Sequence, residues 1–193
     1  MYALVESGTI TKYFNNPRGF MLGDVQYSSD IFMKWSVEEK TAIGIHEVIF
    51  DDSNKKDEEW YINTNQTFVF ANNIVTASYG TATPIAHADV TETINGVEST
   101  TLGLKTNLIK DLKSNVANEL AKTDWYITRK TEKSSAIPSA ISTHRDLVRS
   151  RQVSIEAQII GAADTAALET LHTYTTTDGV QSRPLGELPV LES

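Results

Sequence analysis

The hydrophobic period of this chain changes near residue 101. From Leu102 to Leu120 the apolar residues Leu104, Leu108, Ile109, Leu112, Val116 and Leu120 recur at spacings of three and four. On a helix these positions share one face, which must be buried against another element. Before that point, residues 1–100 are rich in β-branched and aromatic side chains set between Gly, Asn and Ser turns, the pattern of short strands. Strands first and helices afterwards predict an α+β chain. Its expected parts are a small antiparallel β-rich half over 1–100, a helical hairpin over 101–175 and an extended carboxy-terminal arm over 176–193.

Turn chemistry sets the finer divisions. YALVES and TITKYF flank Ser7-Gly8, a spacing suited to a tight hairpin, and TETINGVEST carries Asn-Gly between alternating segments, a strong hairpin signal. Residues 15–29 are rich in Gly, Asn, Ser and Pro and read as a loop holding short strands at most. Ser36 and Glu39 form an S-x-x-E capping box before a short helix, which Gly44 can end in a left-handed conformation. HEVIFDD and EEWYINTNQTFVFANNIVTASYG then supply strands broken by Asn-rich turns, adding to a small antiparallel sheet.

In the second half the first helix is expected to end near Asp124, a residue that favours caps and turns. A second helix should run from Pro138 to about Ile160, with Pro138 in its first turn and Gly161 ending it. Asp164 caps a third over DTAALETLHTY. The closing GVQSRPLGELPVLES has too many prolines and glycines for regular structure and reads as an arm that a partner would order.

Composition removes several classes of function. The 193 residues are 40% hydrophobic and 22% charged, enough to bury a core. Cysteine is absent, which excludes thiol nucleophiles, thiolate metal sites and disulfides. A net charge of -8 argues against a broad phosphate-tracking surface, so no nucleic acid is expected as partner. No apolar run approaches a membrane span, and MYALVESGTITKYF lacks the basic and apolar regions of a signal peptide, so the chain is expected to stay where it is made.

Familiar catalytic patterns are missing from the sequence. The acidic run DDSNKKDEE has no loop glycine and places Lys56 at a ligand position, so it reads as a solvated loop instead of a calcium site. His46, His87, His144 and His172 have no metal-ligand spacing, and neither a G-x-S-x-G elbow nor a Gly-rich phosphate loop occurs. No catalytic residue, cofactor or metal is assigned. HRDLVRSRQ gathers Arg145, Arg149 and Arg151; the reading is a solvated face with Asp146 and Arg149 paired, or alternatively an anion contact. Trp125 and Tyr126, just past the expected helix end, read as a clasp closing the helical hairpin, with a binding anchor as the alternative.

The succession of a helix, LAKTDWYITRKTE and IPSAISTHRDLVR resembles the carboxy-terminal region of tailed-bacteriophage tail proteins of the tail-fibre-assembly type. In those proteins a helix ends in Leu-x-x-Thr-Asp-Trp, passes through a short charged segment, and resumes as a helix bearing Pro and then Arg-x-x-x-Arg. The matching positions here are Leu120, Thr123, Asp124, Trp125, Pro138, Arg145 and Arg149. The opening MYALVESGTITKY, the W-S-x-E-E element before Gly44-Ile45, and WYI, FVF and IVTASYG in order are similar to such proteins as well. The chain departs from them in the loop of residues 15–29 and from residue 176 onward.

The resemblance implies a non-catalytic virion protein of the tail, as a fibre, baseplate or adaptor component made in the host cytoplasm. It implies protein contacts with other phage tail or fibre proteins and a homo-oligomer within a symmetric assembly; no membrane partner is expected, since no apolar run is long enough to span one. The alternatives are an assembly chaperone that leaves the particle and a tail-associated glycan-cleaving enzyme. The expected contact residues are Trp125, Tyr126, Arg145, Arg149 and Arg151, with Pro184, Leu185, Leu188, Pro189 and Leu191 of the arm.

Overall fold

Ser7 and Gly8 both take positive φ, at 51° and 79°, and turn β1 (Tyr2–Glu6) directly into β2 (Thr9–Phe14). The computed structural model describes residues 1–191, and the chain divides into two units, Met1–Thr83 and Pro84–Ser193. Helices gather in the second unit and the main sheet lies in the first, so the chain is mixed α+β. The boundary falls earlier than the change of period suggests, because the Asn95-Gly96 hairpin belongs to the helical unit.

In the first unit β3 (Phe20–Leu22) and β4 (Val25–Tyr27) form a small hairpin within the predicted loop. The short α1 (Ile31–Lys34) and α2 (Val37–Ala42) follow. Ser36 and Glu39 close the expected capping box at the start of α2: the Glu39 N–H donates to Ser36 Oγ, and the Ser36 N–H to Glu39 Oε2 at 2.8 Å. Gly44, at φ 79°, then lets the chain pass against the Val5 carbonyl, where any side chain would collide.

Next come β5 (Ile45–Asp51), β6 (Tyr61–Ile62), β7 (Thr67–Ala71) and β8 (Ile74–Ser78), with β9 (Thr83–Pro84) marking the unit boundary. The main sheet runs β2-β1-β5-β8-β7. Its neighbours are antiparallel except β5 and β8, which are parallel, so the sheet is not the purely antiparallel one expected. The residues between Asp51 and Ile74 supply the long connection that a parallel pair requires. One face buries Leu4, Phe14 and Ile45 against Phe20, Ile31 and Phe32; the other buries Ala3, Val5, Val48, Val75 and Ala77. The sheet curls enough for Tyr13 on one edge to meet Phe68 on the other, ring centres 4.7 Å apart.

The second unit opens with a hairpin of β10 (Val90–Ile94) and β11 (Val97–Thr101), turned by Asn95 and Gly96 at positive φ. Three helices follow the predicted apolar periods: α3 (Leu104–Ala121), α5 (Ser139–Gly161) and α6 (Thr165–His172). Asp164 caps α6, accepting from the Ala167 N–H at 2.8 Å. Between α3 and α5 stands a helix not anticipated, α4 (Asp124–Lys133). Leu112 and Val116 of α3 are buried with Val148, Ile155 and Ile159 of α5. Lys113 meets Glu156 while Glu119 meets His144, so the two helices run antiparallel. After α6, β12 (Thr175–Thr177) and β13 (Val180–Ser182) form a last hairpin.

Candidate interaction surface

The end of α3 is closed by a side chain from another helix. Lys122 keeps helical backbone angles, and Thr123, 1% exposed, donates its hydroxyl to the Leu120 carbonyl at 3.0 Å. No glycine is available to form the usual left-handed cap, which leaves carbonyls in need of donors. Arg145 of α5, only 8% exposed, supplies them: its Nη1 donates to the Leu120 carbonyl at 2.8 Å, to Thr123 Oγ1 at 2.7 Å and to Asp124 Oδ1 at 2.8 Å. The guanidinium therefore sits at the negative end of α3 while Asp124 sits at the positive end of α4, both favourable placements. This corrects the reading of Arg145 as a solvated or partner-facing residue, and it makes Arg145, not the aromatic pair, the clasp of the hairpin.

A second buried contact supports the first. Glu119 Oε1 lies 3.2 Å from His144 Nε2, and Lys122 also pairs with Glu119. The Lys122 hydrogen bond, opposed by burial and helped by His144, holds the Glu119 carboxyl below its ordinary value.

Asp124 begins a new helix where a turn was expected, and this places Trp125 and Tyr126 in the first turn of α4. None of the ten residues of α4 is buried. Trp125 is 51% exposed, which contradicts the clasp reading and leaves the anchor alternative. Its ring centre lies 3.7 Å from that of Tyr126, and the Arg129 guanidinium is 6.0 Å from the Trp125 ring centre. Lys130 and Lys133 occupy the last turn, and Ser134, at φ 54°, ends the helix. The result is an exposed stripe that is aromatic at one end and cationic at the other. The signal in the sequence was the charge order itself, Asp at the start and Lys at the end of DWYITRKTEK.

The arm expected over 176–193 is neither continuous nor free among the described residues. It turns back as β12 and β13 and then docks on its own helices; residues 192 and 193 lie outside the described residues. Leu185 is buried, its N–H donating to the Leu171 carbonyl at 2.9 Å. Arg151 donates to the carbonyls of Leu185 at 2.7 Å and Glu187 at 3.1 Å, and its guanidinium fills the space beside Gly186. Arg151 and Leu185 are thus corrected from partner contacts to internal ones. Leu188, Pro189 and Leu191 are half-buried, and Pro184 is exposed. Arg149 is exposed and pairs with Asp146 at 3.4 Å, as the helical spacing predicted.

Between α3, α5 and this returning segment lies a groove of about 580 Å³, floored by Leu108, Leu112 and Ile155 and rimmed by Asp111 and Asn115. Glu187 at its edge accepts from the Tyr174 hydroxyl at 2.5 Å and from Arg183 Nη2 at 3.0 Å. Burial opposes ionisation of Glu187, but these bonds and the charges of Arg183 and Arg151 hold its carboxyl low; the same contact raises the Tyr174 hydroxyl. Glu119 and Glu187 are both held low by hydrogen bonds and ion pairs, as paired carboxylates are. Among the described residues no group of three His, Asp or Glu could hold a metal ion, and no helix is long and apolar enough to cross a membrane.

No protein-family model matches this chain, and no curated protein or solved structure does either.

Proposed function

We propose that this chain is a non-catalytic component of a bacteriophage tail, acting through protein contacts as part of a fibre, baseplate or adaptor. The observation that carries the reading is α4. A helix of ten residues has little stability of its own in water, yet this one buries none of its side chains and exposes a tryptophan. An aromatic anchor beside cations, on an exposed helix tied to α5 through Asp124 and Arg145, is chemistry suited to a protein neighbour. The order of Thr123, Asp124, Trp125, Pro138, Arg145 and Arg149, similar to tail-fibre-assembly-type proteins, supplies the phage context. At the groove, Glu187 is tied to Arg183 and to the Tyr174 hydroxyl.

The test is capture of the tagged chain from a lysate of infected cells. Co-purification of a tail or fibre protein is the expected result, and incorporation into particles should fall several-fold for Trp125→Ala while the circular dichroism is unchanged. Recovery without any tail or fibre protein would overturn the reading. Association with a fibre protein that ends before the finished particle would make the chain an assembly chaperone.

A further inference from the structure

The β10–β11 hairpin, like β12–β13, leaves its strands in solvent, and its base is tied to the start of α3 through the Gly103 N–H and Asp89. All ten of its strand residues are exposed, although two strands alone are marginal in water. Its register pairs Val90 with Thr101, Glu92 with Ser99 and Ile94 with Val97, which puts these six on one face. The opposite face carries Thr91, Thr93, Glu98 and Thr100, with the hydroxyls of Thr91 and Thr100 2.8 Å apart. One face is therefore polar throughout and the other has an apolar patch with a carboxylate beside it. Alternation of this kind marks a half-buried ribbon, yet Val90, Ile94 and Val97 are 40%, 59% and 67% exposed.

We infer that the apolar and acidic face of the β10–β11 hairpin on one copy docks against the aromatic and cationic stripe of α4 on a second copy. This rests on the reading of α4 as a contact surface and names what occupies it. The apolar face of the hairpin carries one carboxylate, Glu92, and no basic residue, whereas α4 offers Arg129, Lys130 and Lys133 against Asp124 and Glu132. Asp124 is already paired with Arg145, so the exposed balance of α4 is cationic in a chain whose net charge is -8. Like charge disfavours the other symmetric option, in which two hairpins pack with Glu92 against Glu92. The lengths agree: five strand residues span about 17 Å, and ten helical residues about 15 Å. Both surfaces are open within a single chain, so a copy does not satisfy itself. Trp125 would cover Val90, Ile94 and Val97, with Arg129, one turn along the same helix face, facing Glu92.

Sedimentation velocity on the purified full-length chain over a wide concentration range tests this. Reversible self-association is expected, abolished by the pair Ile94→Ser and Val97→Ser and weakened about tenfold by Glu92→Lys or by Arg129→Glu. Combining the two charge reversals should restore most of the association. A monomer at every concentration would overturn the inference, as would self-association indifferent to either surface or charge reversals that fail to compensate. Circular dichroism of each variant separates loss of contact from loss of fold. A monomeric chain that still captures a tail protein would end the inference and leave the tail reading standing. A self-associating chain that captures none would do the reverse.

Discussion

Arg145 and Trp125 exchange the roles that side-chain chemistry suggests for them. A long charged residue holds the buried joint, and a large aromatic one stands in solvent. Arg145→Ala should therefore cost about 2–3 kcal/mol, since it removes the buried guanidinium that joins the Leu120 carbonyl, the Thr123 hydroxyl and the Asp124 carboxylate. Trp125→Ala should cost less than about 1 kcal/mol, as exposed substitutions do. Urea unfolding of the two variants checks the order, and the reverse order would restore the aromatic clasp. Glu119 gives a pH dependence whose sign follows from its lowered carboxyl, ordinarily at 4.5. Its stabilising contribution is present above that value and is lost as pH falls through the lower folded value. Glu119→Gln should therefore be less stable than the parent at pH 7, with the gap closing below about pH 4.5, as acid titrations of both proteins would record. None of these contacts was legible in the sequence, because Arg145 reaches partners more than twenty residues away and local period carries no trace of such pairs.

At the scale of elements, what the sequence showed and what it hid divide by range. The Ser7-Gly8 and Asn95-Gly96 turns, the Ser36–Glu39 box, the Asp164 cap and the apolar faces of α3 and α5 are all local signals, and each appears in the structure where its residues stand. The parallel pairing of β5 with β8 depends on a distant partner and left no mark on either strand. Asp124 illustrates an ambiguity within one residue: it can end a helix or open one, and here Arg145 at its carboxylate accompanies the second outcome. The docked end of the chain was hidden for the same reason, since Arg151 and Leu171 hold Leu185 from earlier helices. Because α4 buries none of its side chains, its amides beyond the first turn should exchange with solvent far faster than those of α5 around Val148 and Ile155. Hydrogen exchange with mass spectrometry on dilute protein would measure this. Protection of α4 equal to that of α5 would mean that the helix is stabilised by contacts the account does not contain.

At the scale of the molecule, two units with separate cores divide the work the account assigns. The sheet unit buries its own two clusters, so a chain ending at Thr83 should fold by itself and give dispersed amide resonances. A collapsed spectrum would show that its stability depends on the remainder of the chain. Among the described residues the helical unit leaves α4 and the β10–β11 hairpin exposed, the surfaces to which the proposal assigns protein contacts. The proposed tail role is tested most directly by mass spectrometry of extensively washed phage particles, with this protein counted against the major tail protein. The account predicts a fixed ratio consistent with a symmetric tail assembly. Absence from particles and from every fibre complex in the infected-cell lysate would contradict it.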